Sequence, residues 1–466
     1  MITPIEPERV RFLNDATVRT GDYVLYWMQA SHRTEDNPAL RYAVERADMA
    51  HLPVMVYFGL WQTYPEANLR HFRFMLEGLS EVARSLESIG VTFVLRVEPP
   101  DEGVLVLAKD AAIVVVDHGY LRQQQAWYRA VAKRCPCTLV QVEGNVVVPV
   151  EVASQKEEYS AATFRRKVTY QADRFLHPVG TVSPERSSPA TDLPTLAGET
   201  PDTVLAELTI DRSVPASVMY TGGTSEANRR FMKFLDSRLE GYADNRNDPG
   251  GEGGSGMSPY LHFGQVSPVK LALLAQEQGG EGTPAFLEQL IVRRELAVNF
   301  VRYNDHYDTF PSLPAWAQKT LVLHRGDPRE YGYSPSELEQ AATHDPYWNA
   351  AMQEMTGTGI MQGYMRMYWG KKVLEWSNTP EDAYAAALYL NNKYGIDGRD
   401  PNGYAGVAWC FGKHDRPWGE RPIFGMVRYM NAKGLTRKFD MDRYLETVGQ
   451  ESKGSGTTRV RHRVSR

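Results

Sequence analysis

Cysteine is nearly absent from this chain: its 466 residues include three, Cys135, Cys137 and Cys410. So small and odd a count excludes a disulfide framework and suits a reducing compartment. No His or Cys cluster lies near the Cys135-Pro136-Cys137 pair, so both cysteines read as small apolar residues beside a strand and no metal site is expected. The chain also lacks any run of about 18 uncharged apolar residues, which leaves no candidate membrane span. Its first residues, MITPIEPERVRF, show neither an apolar signal core nor an Arg- and Ser-rich transit pattern, and cytoplasm is the expected location. Strong charge of one sign is missing too. A net charge of −5 argues against a protein that coats nucleic acid over its whole surface.

Two different grammars divide what is present. Residues 1–150 alternate short apolar runs with amphipathic stretches. The runs are YVLYWMQA (23–30), PVMVYFGL (53–60), VTFVLRV (91–97), AAIVVVD (111–117) and TLVQVEG (138–144). They are continuously apolar, as strands buried on both faces of a parallel sheet are. Between them, NPALRYAVERADMAH and HFRFMLEGLSEVARSLESIG have helical spacing, the second stopped by Gly90. The pattern predicts an α/β domain with a doubly wound parallel sheet and any ligand outside the strands' C-terminal ends. The first such loop, Gln29-Ala30-Ser31-His32-Arg33, is polar and basic but has neither G-x-G-x-x-G nor Walker spacing, so no cofactor can be read from it.

Residues 151–218 read as a long connector: a helix near KEEYSAATFRRKV, then a Pro-, Ser- and Thr-rich stretch draped over the surface. Residues 219–450 read as an all-α domain. FLEQLIVRRELAVNFVRYN sets Phe286, Leu290, Leu296, Val298 and Phe300 among charges, and PEDAYAAALYLNNKYG opens on Pro380, a good first-turn residue. Residues 451–466 read as a disordered basic tail.

Six of the nine tryptophans, Trp316, Trp348, Trp369, Trp376, Trp409 and Trp418, fall in roughly the last third. Trp369 and Trp376 share one face of a predicted helix, about 10.5 Å apart along its axis. Spacing alone leaves an electron relay and plain core packing both open, and packing is the simpler reading. GYADNRNDPGGEGGSGMSPYLHFGQVSP joins a glycine-rich turn to a helix start at Ser258-Pro259, where backbone can approach a phosphate. NNKYGIDGRDPNGYAGVAWCFGKHDRPWGERPIFGMVRYM reads as a long irregular loop, in which Arg416, Trp418, Arg421 and Arg428 interleave aromatic and basic groups suited to nucleic acid. From Trp409 to Arg466 there are 13 Lys and Arg against 6 Asp and Glu, a local surplus that either attracts phosphate or forms a solvated tail.

Taken in order, YADNRNDP, SPYLHFGQVSP, RRELAVNF, DPYWNA, YMRMYWGKKVLEW, IDGRDPNGY and HDRPWGERPIFGMVRYMN resemble the class II cyclobutane pyrimidine dimer photolyases, within the photolyase/cryptochrome family. That resemblance implies an antenna domain, a connector and a helical FAD-binding domain. The implied activity is light-driven dimer repair by an electron from excited reduced FAD to a flipped-out lesion. It further implies that Tyr242 and the turn Gly254, Ser255, Gly256, Met257, Ser258 contact FAD. Arg366 and Asp397 would form an ion pair beside its ring, and Asn391 would face the flavin N5. Trp369, Trp348 and Trp376 would be the proximal, middle and distal members of a photoreduction series drawing electrons from solvent. Met367 and Trp409 would touch the lesion, with Arg416, Trp418 and Arg428 filling the gap it leaves. A deazaflavin rather than a folate is the implied antenna, UV-damaged DNA the partner, and a monomer the expected state. Two positions depart from the pattern: Gln289 stands where relatives carry Glu, with Glu288 beside it, and Gly256 where they usually carry Asn. These departures leave a cryptochrome-like photoreceptor with weak or no repair as the alternative.

Overall fold

A computed structural model describes residues 5–188 and 193–454. Six strands, β1 (Val10–Phe12), β2 (Tyr23–Trp27), β3 (Val54–Leu60), β4 (Thr92–Val97), β5 (Ala111–Asp117) and β6 (Thr138–Val142), form one sheet in the order β1-β6-β5-β2-β3-β4. Strands β2 to β6 pair parallel. Every residue of β3 and β5 is buried, which is why those segments read as unbroken apolar runs. The helices Pro38–Ala50 and Leu69–Ser88 cover one face. Pro100–Leu107 and Arg122–Arg134 cover the other, so the sheet is doubly wound. Only β1 departs from the parallel expectation. It lies antiparallel on β6, and with three residues, two of them exposed, it left no apolar run to find.

The connector is less superficial than its composition suggests. The helix Ala161–Phe175 buries Phe164 and Val168 in the core of the helical half. Further on, Val182, Leu208 and the Val204–Leu205 turn of the helix Pro201–Glu207 pack into the sheet-side core. Proline and serine set an irregular path there, but the scattered apolar residues fold the segment back onto the protein.

The second half is helical, as expected, with refinements. SELEQAATHDPYWNAAMQEM divides at Pro346, where Asp345 accepts hydrogen bonds from the Tyr347 and Trp348 N–H groups and starts a new helix, Pro346–Thr358. Helices Gly363–Trp376 and Pro380–Tyr394 follow. The long loop expected after Asn391 is interrupted by the helix Pro401–Cys410, capped by Asp400; its glycines and small residues had hidden the helical spacing. The last helix, Met441–Gly454, runs into the expected tail, and the rest of that tail lies outside the described residues. No described helix is long and apolar enough to cross a membrane.

Buried polar groups join the two halves. Arg33 donates to the Gly264 carbonyl at 2.8 Å, and Arg294 to that of Asn145 at 2.7 Å. Arg70, from the sheet-side helix Leu69–Ser88, reaches the carbonyls of Met355, Thr356 and Tyr394 at 3.0, 2.6 and 2.8 Å.

Candidate functional site

A cavity of about 430 Å³ opens among the C-terminal helices. Tyr242, Ser255, Met257 and Ser258 form one wall, and Arg366, Met367, Asp397 and Trp409 stand on others. The sequence-expected cofactor and lesion residues thus share a single cavity, although Gly254 and Gly256 are not among its lining residues. Arg366 pairs with Asp397 at 3.1 Å, both mostly buried, and the Arg366 Nε finds no partner within the protein. Asn391 is not itself a lining residue. It lies behind Gly403, where an added Cβ would sit 3.0 Å from its Nδ2, next to the cavity-lining Asn402. Its side chain is buried and its Oδ1 has no protein partner. An unpartnered buried acceptor is expensive unless something else donates to it.

Gln289 and Arg293 also line this cavity, and both belong to a π-helical turn, Glu288–Arg293, that sequence spacing had not revealed. Such turns widen a helix and often sit at functional sites. Glu288 is not a stand-in for the missing carboxylate at 289. It is held by Arg165 at 2.7 Å and Arg293 at 3.1 Å. Burial alone would raise its pKa, but Arg165 and then Arg293 outweigh that and hold it below the ordinary range. The cavity therefore meets an amide at 289. Arg293 also lies over the Trp409 ring, 5.4 Å from its centroid.

The tryptophans are arranged in series. Trp348, from its own helix, stacks on Trp369 with centroids 6.3 Å apart and planes 9° from parallel. On its other side it meets Trp376 edge-on at 5.4 Å. The Trp348 Nε1 donates to the Trp369 carbonyl at 3.0 Å, which fixes the ring between the other two. Trp369 lies one turn beyond the cavity-lining Arg366. Trp376, expected to meet solvent, is only 2% exposed.

Arg416, Trp418 and Arg428 stand outside the cavity, on the irregular segment after the helix Pro401–Cys410. Both guanidiniums lie 5.1 Å from the Trp418 ring, which is 40% exposed. Cavity-lining His414, missed in the sequence, connects this surface to the interior. Burial pushes its pKa down to about 4, against a hydrogen bond to the Tyr159 carbonyl, so it is neutral near pH 7.

A second cavity, of about 130 Å³, lies where the strand order reverses. The Asp117 carboxylate at the end of β5 accepts from the N–H groups of Gln29, Ala30 and Ser31 at 2.9, 2.9 and 3.1 Å, shaping the loop after β2. Gln29, His32, Trp61, Tyr64, Trp127 and Arg399 line the cavity. The His32 Nδ1 and Arg399 Nη1 are buried without partners. His262, which lines it, contacts Asp400 of the larger cavity at 3.4 Å.

A sequence model described as DNA photolyase matches residues 24–185. The deoxyribodipyrimidine photo-lyase of Methanothermobacter thermautotrophicus is 51% identical over 445 residues, covering 95% of this chain and 98% of the relative. The chain belongs to the DNA photolyase family. Among solved structures, a class III photolyase from Agrobacterium tumefaciens superposes with a TM-score of 0.69 at 19% identity, over 93% of this chain and 87% of that one. An archaeal photolyase from Sulfolobus tokodaii, described with two FAD molecules, gives 0.68 at 18%, over 91% and 89%. At such identities these two establish the photolyase fold alone.

A flavin dinucleotide suits the larger cavity of this photolyase. A flavin ring needs an apolar bed with a few polar edges, and the Arg366–Asp397 pair beside Met367 and Ala405 supplies both. The orphaned Asn391 Oδ1 is an acceptor awaiting an N–H. A Cβ added at Gly254 would meet nothing, leaving backbone open to a ligand. The Gly256 departure is conformationally mild: its φ of +71° lies in the left-handed region that Asn also tolerates.

Proposed function

We propose that this chain is a class II photolyase that uses light to repair cyclobutane pyrimidine dimers in DNA, with FAD in the larger cavity. The single observation that carries the reading is that one cavity joins flavin-suited and base-suited walls, with a stacked tryptophan series starting one helical turn away. The class assignment rests on the ordered motifs between YADNRNDP and HDRPWGERPIFGMVRYMN. Bound there, reduced FAD supplies, when excited, the electron that splits the cyclobutane ring and recovers it afterwards.

The chain's own residues do the rest. The Arg366–Asp397 pair and the Asn391 amide orient the ring system, while Tyr242, Ser255, Met257 and Ser258 hold the remainder of the dinucleotide. A dimer inside a duplex cannot reach this depth, so it must flip out, at about a few kcal/mol. Arg416 and Arg428 hold the exposed Trp418 indole in place to fill the gap, which offsets that unstacking. Trp409 and Met367 offer apolar faces to the extruded pyrimidines, and the Gln289 amide offers a donor and an acceptor. Trp369, Trp348 and Trp376 would carry electrons inward to restore the reduced cofactor. The smaller cavity, with its aromatic walls and unpartnered His32 and Arg399 atoms, suits a planar antenna pigment, for which a deazaflavin is the proposed occupant.

The test is irradiation of the purified protein with dimer-containing DNA under blue light. Loss of dimers that requires both light and protein is expected. A yellow protein that leaves dimers intact would overturn repair, and would favour a photoreceptor if light altered a binding partner instead.

A further inference from the structure

The Cys135-Pro136-Cys137 pair belongs to neither cavity. Cys135 caps the helix Arg122–Arg134, its N–H donating to the Val131 carbonyl, and Cys137 stands one residue before β6. The backbone at Cys135 is extended, so side chains two residues apart face the same way, and the two sulfurs lie 3.8 Å apart. Cys135 is 8% exposed and Cys137 wholly buried, so a small molecule arriving from solvent meets Cys135 first. Residues 13–19 run beside the pair. Asn14 donates to the Cys137 carbonyl at 3.0 Å and Thr138 to that of Ala16 at 2.7 Å. Arg19 is fixed on the carbonyls of Ala108 and Ala111 at 2.9 and 3.0 Å. The Cys137 S–H donates to the Cys135 sulfur and, with the Cys137 backbone N–H and the Arg19 charge, draws that thiol below its ordinary range against the effect of burial. The same contact, together with burial, pushes Cys137 up. Among the described residues no third His, Cys, Asp or Glu completes a metal-binding group with them. Cys410, in the other half, is buried against the carbonyls of Arg366 and Gly406, and burial pushes its thiol up to about 11.

We propose that Cys135 and Cys137 form a redox-active dithiol, closed to a disulfide by peroxide and reopened by dissolved thiols. The Cys135 thiolate attacks one oxygen of hydrogen peroxide. The O–O bond breaks, hydroxide leaves and takes up a proton to become water, and Cys135 becomes a sulfenic acid. Cys137 then attacks that sulfur. The S–O bond breaks, the hydroxyl leaves as water with the Cys137 proton, and the S–S bond forms. Two thiols have given up two electrons, and one peroxide has become two waters. The sulfurs must close from 3.8 Å to about 2.05 Å, a movement within one pair of neighbouring side chains. A link across a single residue removes little chain entropy, so it adds little stability, and its use is reversible chemistry rather than bracing. A transient bond of this kind is also the form that suits a reducing compartment.

The experiment treats the reduced full chain with hydrogen peroxide, quenches it in acid, alkylates the remaining thiols under denaturing conditions and weighs the peptides. In the wild type, the peptide holding both cysteines is expected unalkylated and two hydrogens lighter. Dithiothreitol should restore both alkylation sites, while Cys410 stays alkylated throughout. Cys137→Ser halts at the Cys135 sulfenic acid, which dimedone captures. In Cys135→Ser, the remaining Cys137 thiol is oxidised at least about tenfold more slowly, because it is less often a thiolate. Peroxide that spares all three thiols, oxidises Cys410 as fast as the pair, or yields sulfinic acids without the bonded peptide would overturn the proposal. Those three outcomes are read on the wild type, so the folding of the serine variants does not enter them.

Discussion

Replacing Arg70 with methionine tests whether the two halves are held together by buried charge. Arg70 is 1% exposed, and its guanidinium donates to the carbonyls of Pro215, Met355, Thr356 and Tyr394 at 3.0, 3.0, 2.6 and 2.8 Å. Thr356 lies in the last turn of its helix and Tyr394 ends another, positions where no further helical N–H arrives. Burial pulls the pKa of Arg70 down to about 10, which still leaves it charged at neutral pH, at the negative ends of two helices. Hydrogen bonds to charged groups contribute about 1.5–3 kcal/mol each, but a shared donor's bonds do not add and some carbonyls will find water. The expected loss is therefore about 3–5 kcal/mol, the range for removing one partner of a buried charged network. Methionine keeps the stem's bulk, so little of that loss would be packing. Urea unfolding followed by tryptophan fluorescence measures it. The same helices carry Trp348 and Asn391, so retained flavin should fall in parallel. A loss below about 1 kcal/mol would refute the reasoning, because it would mean the carbonyls are satisfied without Arg70.

Three further outcomes are expected. Gln289→Glu restores a charged acceptor to the cavity wall; the gain of about 1 kcal/mol in hydrogen-bond strength corresponds to roughly fivefold tighter binding of dimer-containing DNA at unchanged flavin loading, measured by titration. Gly256→Asn should fold normally, whereas Gly256→Val should lose about 1–2 kcal/mol in urea unfolding, because a β-branched residue resists a φ of +71°. His324 bonds Glu420 and Asp327, which raise its pKa, and the same Asp327 carboxylate accepts from the Ile423 N–H on the segment that carries Trp418, proposed above to meet DNA. A raised folded pKa means the stabilisation is full below the unfolded value and fades as pH climbs through the folded one. DNA affinity should accordingly weaken as pH rises through the raised folded-state pKa of His324, and His324→Gln should flatten that slope in salt-matched titrations.

How much was legible in the sequence varied with the range of the forces involved. The strands of the first half were legible because burial on both faces leaves one-letter evidence at every position, as in β3 and β5. Strand β1 was not, since an edge strand with two exposed residues is held by the β6 backbone, which sequence does not display. Composition misled at the connector: Pro and Ser mark its path, but Val182, Val204, Leu205 and Leu208 decide where it docks. In the site, Tyr242, Ser255, Met257, Ser258, Arg366, Met367, Asp397 and Trp409 share one cavity while Asn391, Arg416, Trp418 and Arg428 do not line it, so their relations had to be seen. Trp348 is far from Trp369 in sequence and reaches it only through the packing of two helices. The π-helical turn at Gln289 leaves no trace in apolar spacing, because it shifts the register by one residue within an otherwise helical run.

One helix explains why the tryptophan series needs a member from outside it. Gly363–Trp376 spans 14 residues, about 21 Å, with Gly363, Arg366 and Met367 at the cavity and Trp376 at the floor of an outer cleft. Along it, Trp369 and Trp376 are fixed about 10.5 Å apart, too far for ring contact. The residues that lie between them on that face, Lys372 and Val373, carry no ring, so the indole that bridges the gap enters from a neighbouring helix. Trp348 does so because Asp345 starts its helix three residues earlier and also accepts the Tyr368 hydroxyl, tying that helix start to the middle of the Trp369 helix. The Asp345 cap is thus as much a determinant of the series as the tryptophans. Asp345→Ala should separate Trp348 from its neighbours while leaving all three indoles in the chain.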